Sequence, residues 1–255
     1  MPAAGTSLLL RLVLTTLSAA LLLGAPTGCD EPLPPAATEP ESIDGAAALP
    51  TAGDGTEAPS EWSWPEGPLE RARVEVRGFG TIEIALFAEL APRTVENFKK
   101  LASSEFYDGT TFHRVIPGFM IQGGDPLSRN RDPSDDGSGG PGYRIRDEFS
   151  RAPHLRGAVS MANRLSPNSG GSQFFIVHQD SQHLDRHYAL FGRVVAGLDV
   201  LDQIAATERD AGGRWGPRDR PIESVVIEQI TILPPRAAGA PQPAPTSALA
   251  DATGP

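Results

Sequence analysis

One cysteine in 255 residues leaves no partner for an intrachain disulfide and too few thiolates for a cysteine-rich zinc or iron–sulfur centre. Basic residues are scarce relative to acidic ones. With 22 Lys and Arg against 32 Asp and Glu, the net charge of −10 argues against a nucleic-acid binder, which needs a basic surface to displace counterions. Internal repeats at any solenoid period are missing. The longest apolar run, Leu12–Leu23 after Arg11, has the length of the apolar centre of an export signal and is short for a bilayer span. Glycine and proline are abundant instead, 27 and 25 residues, a level that marks part of the chain as linker. Length alone fits one domain or two, at about 150 residues each.

Charge divides the chain. Asp30–Pro68 holds nine carboxylates (Asp30, Glu31, Glu39, Glu41, Asp44, Asp54, Glu57, Glu61, Glu66) and no Lys or Arg, set among Pro, Ala, Gly and Thr. Such a stretch buries too little apolar surface to offset its ordering entropy, so residues 29–68 are predicted to form an extended, disordered tether. The rest of the chain is close to neutral. Ahead of the tether, Met1–Gly28 followed by Cys29 resembles a bacterial lipoprotein signal, which implies cleavage before a lipidated Cys29. The departure is Pro26, where that family prefers Leu or Val. An ordinary secretory signal cut near Ala25, with an incidental Cys29, and an uncleaved anchor are the alternatives. The localisation expected is the cell envelope, anchored or as a soluble exported form. Pro234–Pro255, mostly Ala, Pro and Gly, reads as a flexible tail, which leaves Leu69–Leu233 as a single folded domain.

Within that domain Arg71–Arg77 and Thr81–Leu86 alternate, with Val74 and Val76 on one face and Ile82, Ile84 and Leu86 on another; Gly78-Phe79-Gly80 joins them as a hairpin turn. Pro92 suits the first turn of a helix, with Val95, Phe98, Leu101 and Ala102 inward and Glu96, Asn97, Lys99 and Lys100 outward. Strands are predicted at Thr111–Ile116, Phe119–Gln122, Ala158–Ala162, Gln173–Val177 and Ile222–Leu233, and a second helix at Leu198–Ala206 after Gly197. Short strands, two helices and Gly-rich loops describe a mainly β barrel or sandwich with helical caps. Strand period places Arg114 on one face with Phe112 and Ile116, opposite His113 and Val115. A cation among large apolar neighbours needs a partner or a task; the plainer alternative is a rim residue that reaches water.

The segment Phe112-His113-Arg114-Val115-Ile116-Pro117-Gly118-Phe119-Met120-Ile121-Gln122-Gly123-Gly124-Asp125 closely resembles the signature of the cyclophilins, which are peptidyl-prolyl cis-trans isomerases. The match continues in order through Gly137–Tyr143, Asp147-Glu148-Phe149, Ser160-Met161-Ala162-Asn163, Pro167-Asn168 and Gly171–Ile176. Leu184-Asp185, Phe191-Gly192 and Gly197–Val200 complete it. The resemblance implies a closed eight-stranded antiparallel β-barrel capped by two α-helices, acting on Xaa-Pro bonds of polypeptide clients as a monomer, with no cofactor and no metal. It implies that Arg114 donates to the prolyl nitrogen, that Gln122 hydrogen-bonds and orients Arg114, and that the Asn163 backbone holds the substrate beyond the bond. Phe119, Met120, Phe175 and Leu184 would enclose the proline ring, with Ala162 and Gln173 along the groove. Two positions depart from the family. His183 stands where many members have Trp, which implies weak cyclosporin binding, and Tyr188 stands where many have His. Both residues are expected to contact substrate. The loop Leu127–Asp136 is longer than usual in the family, an insertion that a polar surface loop tolerates.

Weaker signals point elsewhere. Gly137-x-Gly139-x-x-Gly142 matches a dinucleotide fingerprint as a string but contains Pro141 and joins no strand to a helix. Asp132-x-Ser134-x-Asp136-Gly137 is similar to a calcium loop but has Tyr143 at its twelfth position. His178, His183 and His187 with Asp180 and Asp185 have spacings that suit zinc, although surface histidines are commoner. Nothing resembles a nucleophile elbow. The competing class is a tethered module that binds proline-containing segments without turnover. A positioned Arg114 favours the enzyme.

Overall fold

Alternation at the start of the domain produces the predicted hairpin. In the computed structural model, which describes residues 62–235, β1 (Arg71–Val76) pairs antiparallel with β2 (Gly80–Leu86), Val74 opposite Ile82. Gly78 and Gly80 take φ of +75° and +116° in the turn, a region open to glycine. The expected export signal, Cys29, most of the expected tether and residues 236–255 lie outside the described residues. Residues 62–68, assigned to the tether from composition, pack on the domain. The Trp64 ring stacks on Phe87 at 5.8 Å with the Arg193 guanidinium 5.1 Å over it, and Trp62 meets Trp64 edge-on. Aromatic area outweighs the acidic character of the segment there.

Pro92 opens α1 (Pro92–Ser103), where its missing N–H is one of the free helix-end groups anyway. The Glu148 carboxylate accepts from the next two amides, Arg93 N at 3.1 Å and Thr94 N at 2.8 Å, so a side chain distant in sequence caps the helix. Val95, Phe98, Leu101 and Ala102 face the core as predicted, but Asn97 does so too. It is buried because it donates to Gly171 O at 2.8 Å and accepts from the Tyr143 hydroxyl at 2.8 Å. The remaining elements are β3 (Arg114–Ile116), β4 (Met120–Gly123), β5 (Ala158–Met161), β6 (Phe174–Val177), β7 (Ala189–Ala196), α2 (Leu198–Ala205), the short pair β8 (Arg209–Asp210) and β9 (Arg220–Pro221), and β10 (Ile227–Leu233).

One eight-stranded antiparallel sheet runs β10-β1-β2-β7-β5-β6-β4-β3. It curls strongly into a half-barrel. The edge strands β3 and β10 form no ladder with each other. The gap is crossed by one bridge, Thr111 with Val226, and by irregular backbone bonds such as Phe112 N to Val225 O at 2.9 Å and Val115 N to Asp219 O at 2.8 Å. The expected eight strands, antiparallel pairing and two helices are present, whereas closure by a complete ladder is not. Gly197 leads into α2 with φ +88° where a Cβ would lie 2.3 Å from Thr81 O, so only glycine fits that approach.

The curled sheet has two differently packed faces. Its inner face, with α1 and α2, buries an aromatic cluster in which Phe174 meets Phe98, Tyr107 and Phe112 edge-on at 5.5–6.2 Å. The outer face of β4, β5 and β6 contributes Met120, Ala158, Phe175 and Val177 to a second cluster. No helix among the described residues is long and apolar enough to cross a membrane.

Candidate active site

The pairing register assembles the outer face. Arg114 on β3 stands opposite Gln122 on β4, Gln122 opposite Phe175 on β6, and Phe175 opposite Ser160 on β5. Directly opposed residues of antiparallel strands project to the same face, so these four side chains form one row. Met120, two residues before Gln122, joins that face beside Ile116 and Val177. Arg114 does not share its face with Phe112. The strand begins only at Arg114, the alternation breaks before it, and Phe112 turns into the inner core while Arg114 stays exposed.

Six of the residues expected to touch substrate pack in the outer cluster: Met120, Phe175 and Leu184 buried, Phe119, Ala162 and Tyr188 at its margin. His183 stacks on Phe119 with ring centroids 5.2 Å apart, so an aromatic face stands at the position that is Trp in many relatives by resemblance. Tyr188 meets Phe175 at right angles, 5.2 Å away. Burial raises the Tyr188 phenol pKa and the nearby Arg114 charge opposes the rise, which sets the cation beside the apolar pocket.

Arg114 carries no hydrogen bond or ion pair to any described residue. Gln122, expected to orient it, instead donates to Gln173 Oε1 at 2.9 Å, and Gln173 Nε2 donates to the carbonyls of Gly137 and Gly139 at 2.9 and 3.0 Å. The two glutamines thus fasten the 137–139 loop to the sheet. Gln122, Gln173, Ala162 and Asn163 line a groove of about 370 Å³ together with Arg144 and Arg164. Asn163 donates its amide to His187 O at 2.9 Å and accepts from Leu165 N at 3.1 Å through its side chain. Its main-chain N–H and carbonyl have no partner among the described residues. They are the groups expected to hold substrate.

Three histidines singled out for their spacing have separate tasks. His178 Nδ1 accepts from Gly118 N, His183 stacks on Phe119, and His187 Nδ1 donates to Asp185 O at 2.8 Å. In the candidate calcium loop, Asp132 instead accepts from Ser134 N and caps a short 3₁₀ turn, and Asp136 pairs with Arg220 at 2.8 Å.

Sequence reasoning missed a buried relay beneath the pocket. His154 Nδ1 faces Asp185 Oδ1 at 2.9 Å and its Nε2 faces Ser160 Oγ at 2.9 Å, with the imidazole stacked on Phe175. Burial pushes the His154 pKa down, against the opposing pull of Asp185, so the ring is neutral; Nδ1–H donates to Asp185 and Nε2 accepts from Ser160. Ser160 and Asp185 both lie in motifs read from the sequence, but nothing along the chain joins them to His154. His113, next to Arg114, is also buried.

The comparisons with known proteins agree with this geometry. A family model described as "Cyclophilin type peptidyl-prolyl cis-trans isomerase/CLD" matches residues 71–232. Peptidyl-prolyl cis-trans isomerase B of Bacillus subtilis (strain 168) is 51% identical over 126 residues, 49% of this chain and 82% of the relative. Peptidyl-prolyl cis-trans isomerase-like 3 of Gallus gallus is 43% identical over 158 residues, 60% of this chain and 90% of the relative. A Cryptosporidium parvum cyclophilin-type isomerase, solved in the presence of the dipeptide Ala-Pro, superposes with a TM-score of 0.57 at 31% identity, covering 64% of this chain and 98% of that one. With the family model spanning the whole curled sheet and both helices, the chain belongs to the cyclophilin-type peptidyl-prolyl cis-trans isomerases.

Proposed function

We propose that this isomerase speeds rotation about Xaa-Pro bonds by donation from Arg114 to the prolyl nitrogen. Resonance holds a peptide C–N bond planar behind a barrier of about 18–20 kcal/mol. Before proline the cis and trans forms differ by only about 0.5–1 kcal/mol, yet exchange takes tens to hundreds of seconds. The obstacle is kinetic. Midway through the rotation resonance is lost and the nitrogen regains a lone pair, which accepts a hydrogen bond that the planar amide accepts poorly. A donor fixed against that nitrogen therefore favours the transition state over the ground state, the condition for catalysis.

The observation that carries this reading is an exposed guanidinium with no described partner, on β3 opposite Gln122 and in line with Phe175 of the outer apolar cluster. A cation with no described partner on the same face as an apolar cluster is matched to proline on one side and its nitrogen on the other. Phe119, Met120, Phe175 and Leu184 take the ring, His183 and Tyr188 close its sides, and the Asn163 backbone holds the neighbouring residue while the far side turns. Ala162 and Gln173 guide the chain into the groove. The relative solved with Ala-Pro supports proline as the anchor. No proton transfer or covalent intermediate enters the reaction.

Exchange of an Ala-Pro peptide tests the assignment. Arg114→Ala should lower kcat/KM by about 100–1,000-fold, the scale of one preorganised donor. Arg114→Lys should not restore it, because an ammonium lacks the planar fork. Equal turnover by wild type and Arg114→Ala would refute the mechanism.

The clients proposed are exported proteins with Xaa-Pro bonds, met in the cell envelope by an enzyme anchored at a lipidated Cys29. The support is the order of Arg11, the apolar run and Cys29. Mass measurement of the membrane-fraction protein should show an acyl increment at Cys29; a protein without one would leave a soluble exported form.

A further inference from the structure

The turn between β3 and β4 carries Phe119 to the pocket, and a single histidine grips it from behind. Gly118, at φ +78°, donates its N–H to His178 Nδ1 at 2.9 Å, and the His178 N–H donates to Phe119 O at 2.8 Å. A donor aimed at Nδ1 requires a lone pair there, so the ring proton lies on Nε2, which faces Asp202 Oδ1 on α2 at 3.1 Å. Asp202 also takes Arg156 Nη2 at 2.8 and 2.9 Å, and Arg156 Nη1 donates to His178 O at 2.8 Å. Asp180 accepts from Arg156 N at 2.7 Å behind them, and His183 faces the turn from the other side by stacking on Phe119. The neutral neighbour is Gln179, whose amide oxygen lies 3.5 Å from where a Cβ on Gly118 would stand.

We propose that His178 is a positioning residue for the proline pocket, and that it makes substrate binding sensitive to acid. The proposal rests on the isomerase reading above and deepens it. Neutral, the imidazole accepts from Gly118 and holds the Phe119 turn to β6 and α2. A second proton must go to Nδ1. The Gly118 N–H then meets another donor and its bond is lost, and what still holds the turn is the Phe119 main-chain bonding to Ile116 and His178 and the stack on His183. Phe119 loosens while Arg114 stays in place, so the effect falls on KM.

Three full-length proteins separate this from a general acid effect: wild type, His178→Asn and His178→Gln, assayed with an Ala-Pro peptide at about pH 7.5 and pH 5.5, either side of the histidine range. Asn sets its Oδ1 close to the Nδ1 position and accepts from Gly118 at both pH values. Gln carries its acceptor further out, near the Nε2 position. The wild-type KM should rise about threefold or more on acidification, the scale of one lost hydrogen bond. His178→Asn should stay flat, and His178→Gln should show the raised KM at both. The other histidines are common to all three proteins and cancel in the comparison. Parallel pH profiles for wild type and His178→Asn would overturn the proposal, as would a His178→Gln KM equal to that of wild type at pH 7.5. The Gly118 amide resonance gives a readout without turnover: it should move with the His178 ring on titration, and a stationary amide would also overturn the proposal. Absence of turnover by all three proteins would count against the isomerase reading alone, with the Gly118 titration still deciding the role of His178.

Discussion

The two faces of the curled sheet are built from the same strands and serve opposite ends. On β6, Phe174 points into the inner cluster and is fully buried among Phe98, Tyr107 and Phe112, while its neighbour Phe175 points outward, where it floors the pocket. Inside, contacts are aromatic and aliphatic and solvent is excluded on all sides. Outside, apolar residues adjoin an unpaired Arg114, the unfilled main-chain groups of Asn163 and a polar relay at Asp185, His154 and Ser160. The aromatic core lies on one side of the pleat and the residues proposed for chemistry on the other. The separation allows the outer face to carry groups that a core would not tolerate unpaired.

Alanine at the two neighbouring phenylalanines is the sharpest test of that contrast. Phe174→Ala should cost about 3–5 kcal/mol of folding stability, as expected for a fully enclosed ring, and lower the urea midpoint accordingly. Phe175→Ala, at a ring 4% exposed between His154 and Tyr188, should cost no more than that, yet raise KM for an Ala-Pro peptide far more than Phe174→Ala does in protein that remains folded. Equal stability losses with equal KM would erase the distinction between the faces. A smaller effect concerns pH. His113 and His154 both have pKa values lowered from 6.5, first of all by burial. Between those lowered values and 6.5 the unfolded chain binds protons that the folded protein does not. Stability is therefore fully present above about pH 6.5 and declines as pH falls through it. The urea midpoint should be lower at pH 5.5 than at pH 7.5, a window above the ordinary carboxylate range. A midpoint unchanged between them would mean that these two imidazoles are not held neutral.

Legibility in the sequence followed the range of the interaction. Val74, Val76, Ile82, Ile84 and Leu86 announced the first hairpin because period-2 alternation is local, and Pro92 with Val95, Phe98 and Leu101 announced α1 for the same reason. β7 went unread. Ala189–Ala196 is buried on both faces over its first four residues and interrupted by Gly192, where a Cβ would lie 2.6 Å from Ala85 O. A strand without alternation and with a central glycine has no periodic signature. Asn97 was placed outward because it is polar, and only the distant Gly171 carbonyl and Tyr143 hydroxyl make its burial affordable. The residues proposed for the pocket were read from a continuous motif, whereas His154, which reaches Asp185 across 31 positions, belonged to no motif, and His178, which reaches Gly118 across 60, was noticed only for a zinc-like spacing.

The amino-acid sequence by itself determined the family, and it named the cation and most of the residues proposed for the pocket, because these lie in unbroken stretches whose order and chemistry are visible along the chain. The tertiary structure alone decided that Gln122 binds Gln173 rather than Arg114, that Phe112 turns away from Arg114, that no ladder joins β3 to β10, and that two histidines brace the pocket from behind. Each depends on which strand lies beside which, and on how tightly a curled sheet brings residues far apart in the chain within hydrogen-bonding distance.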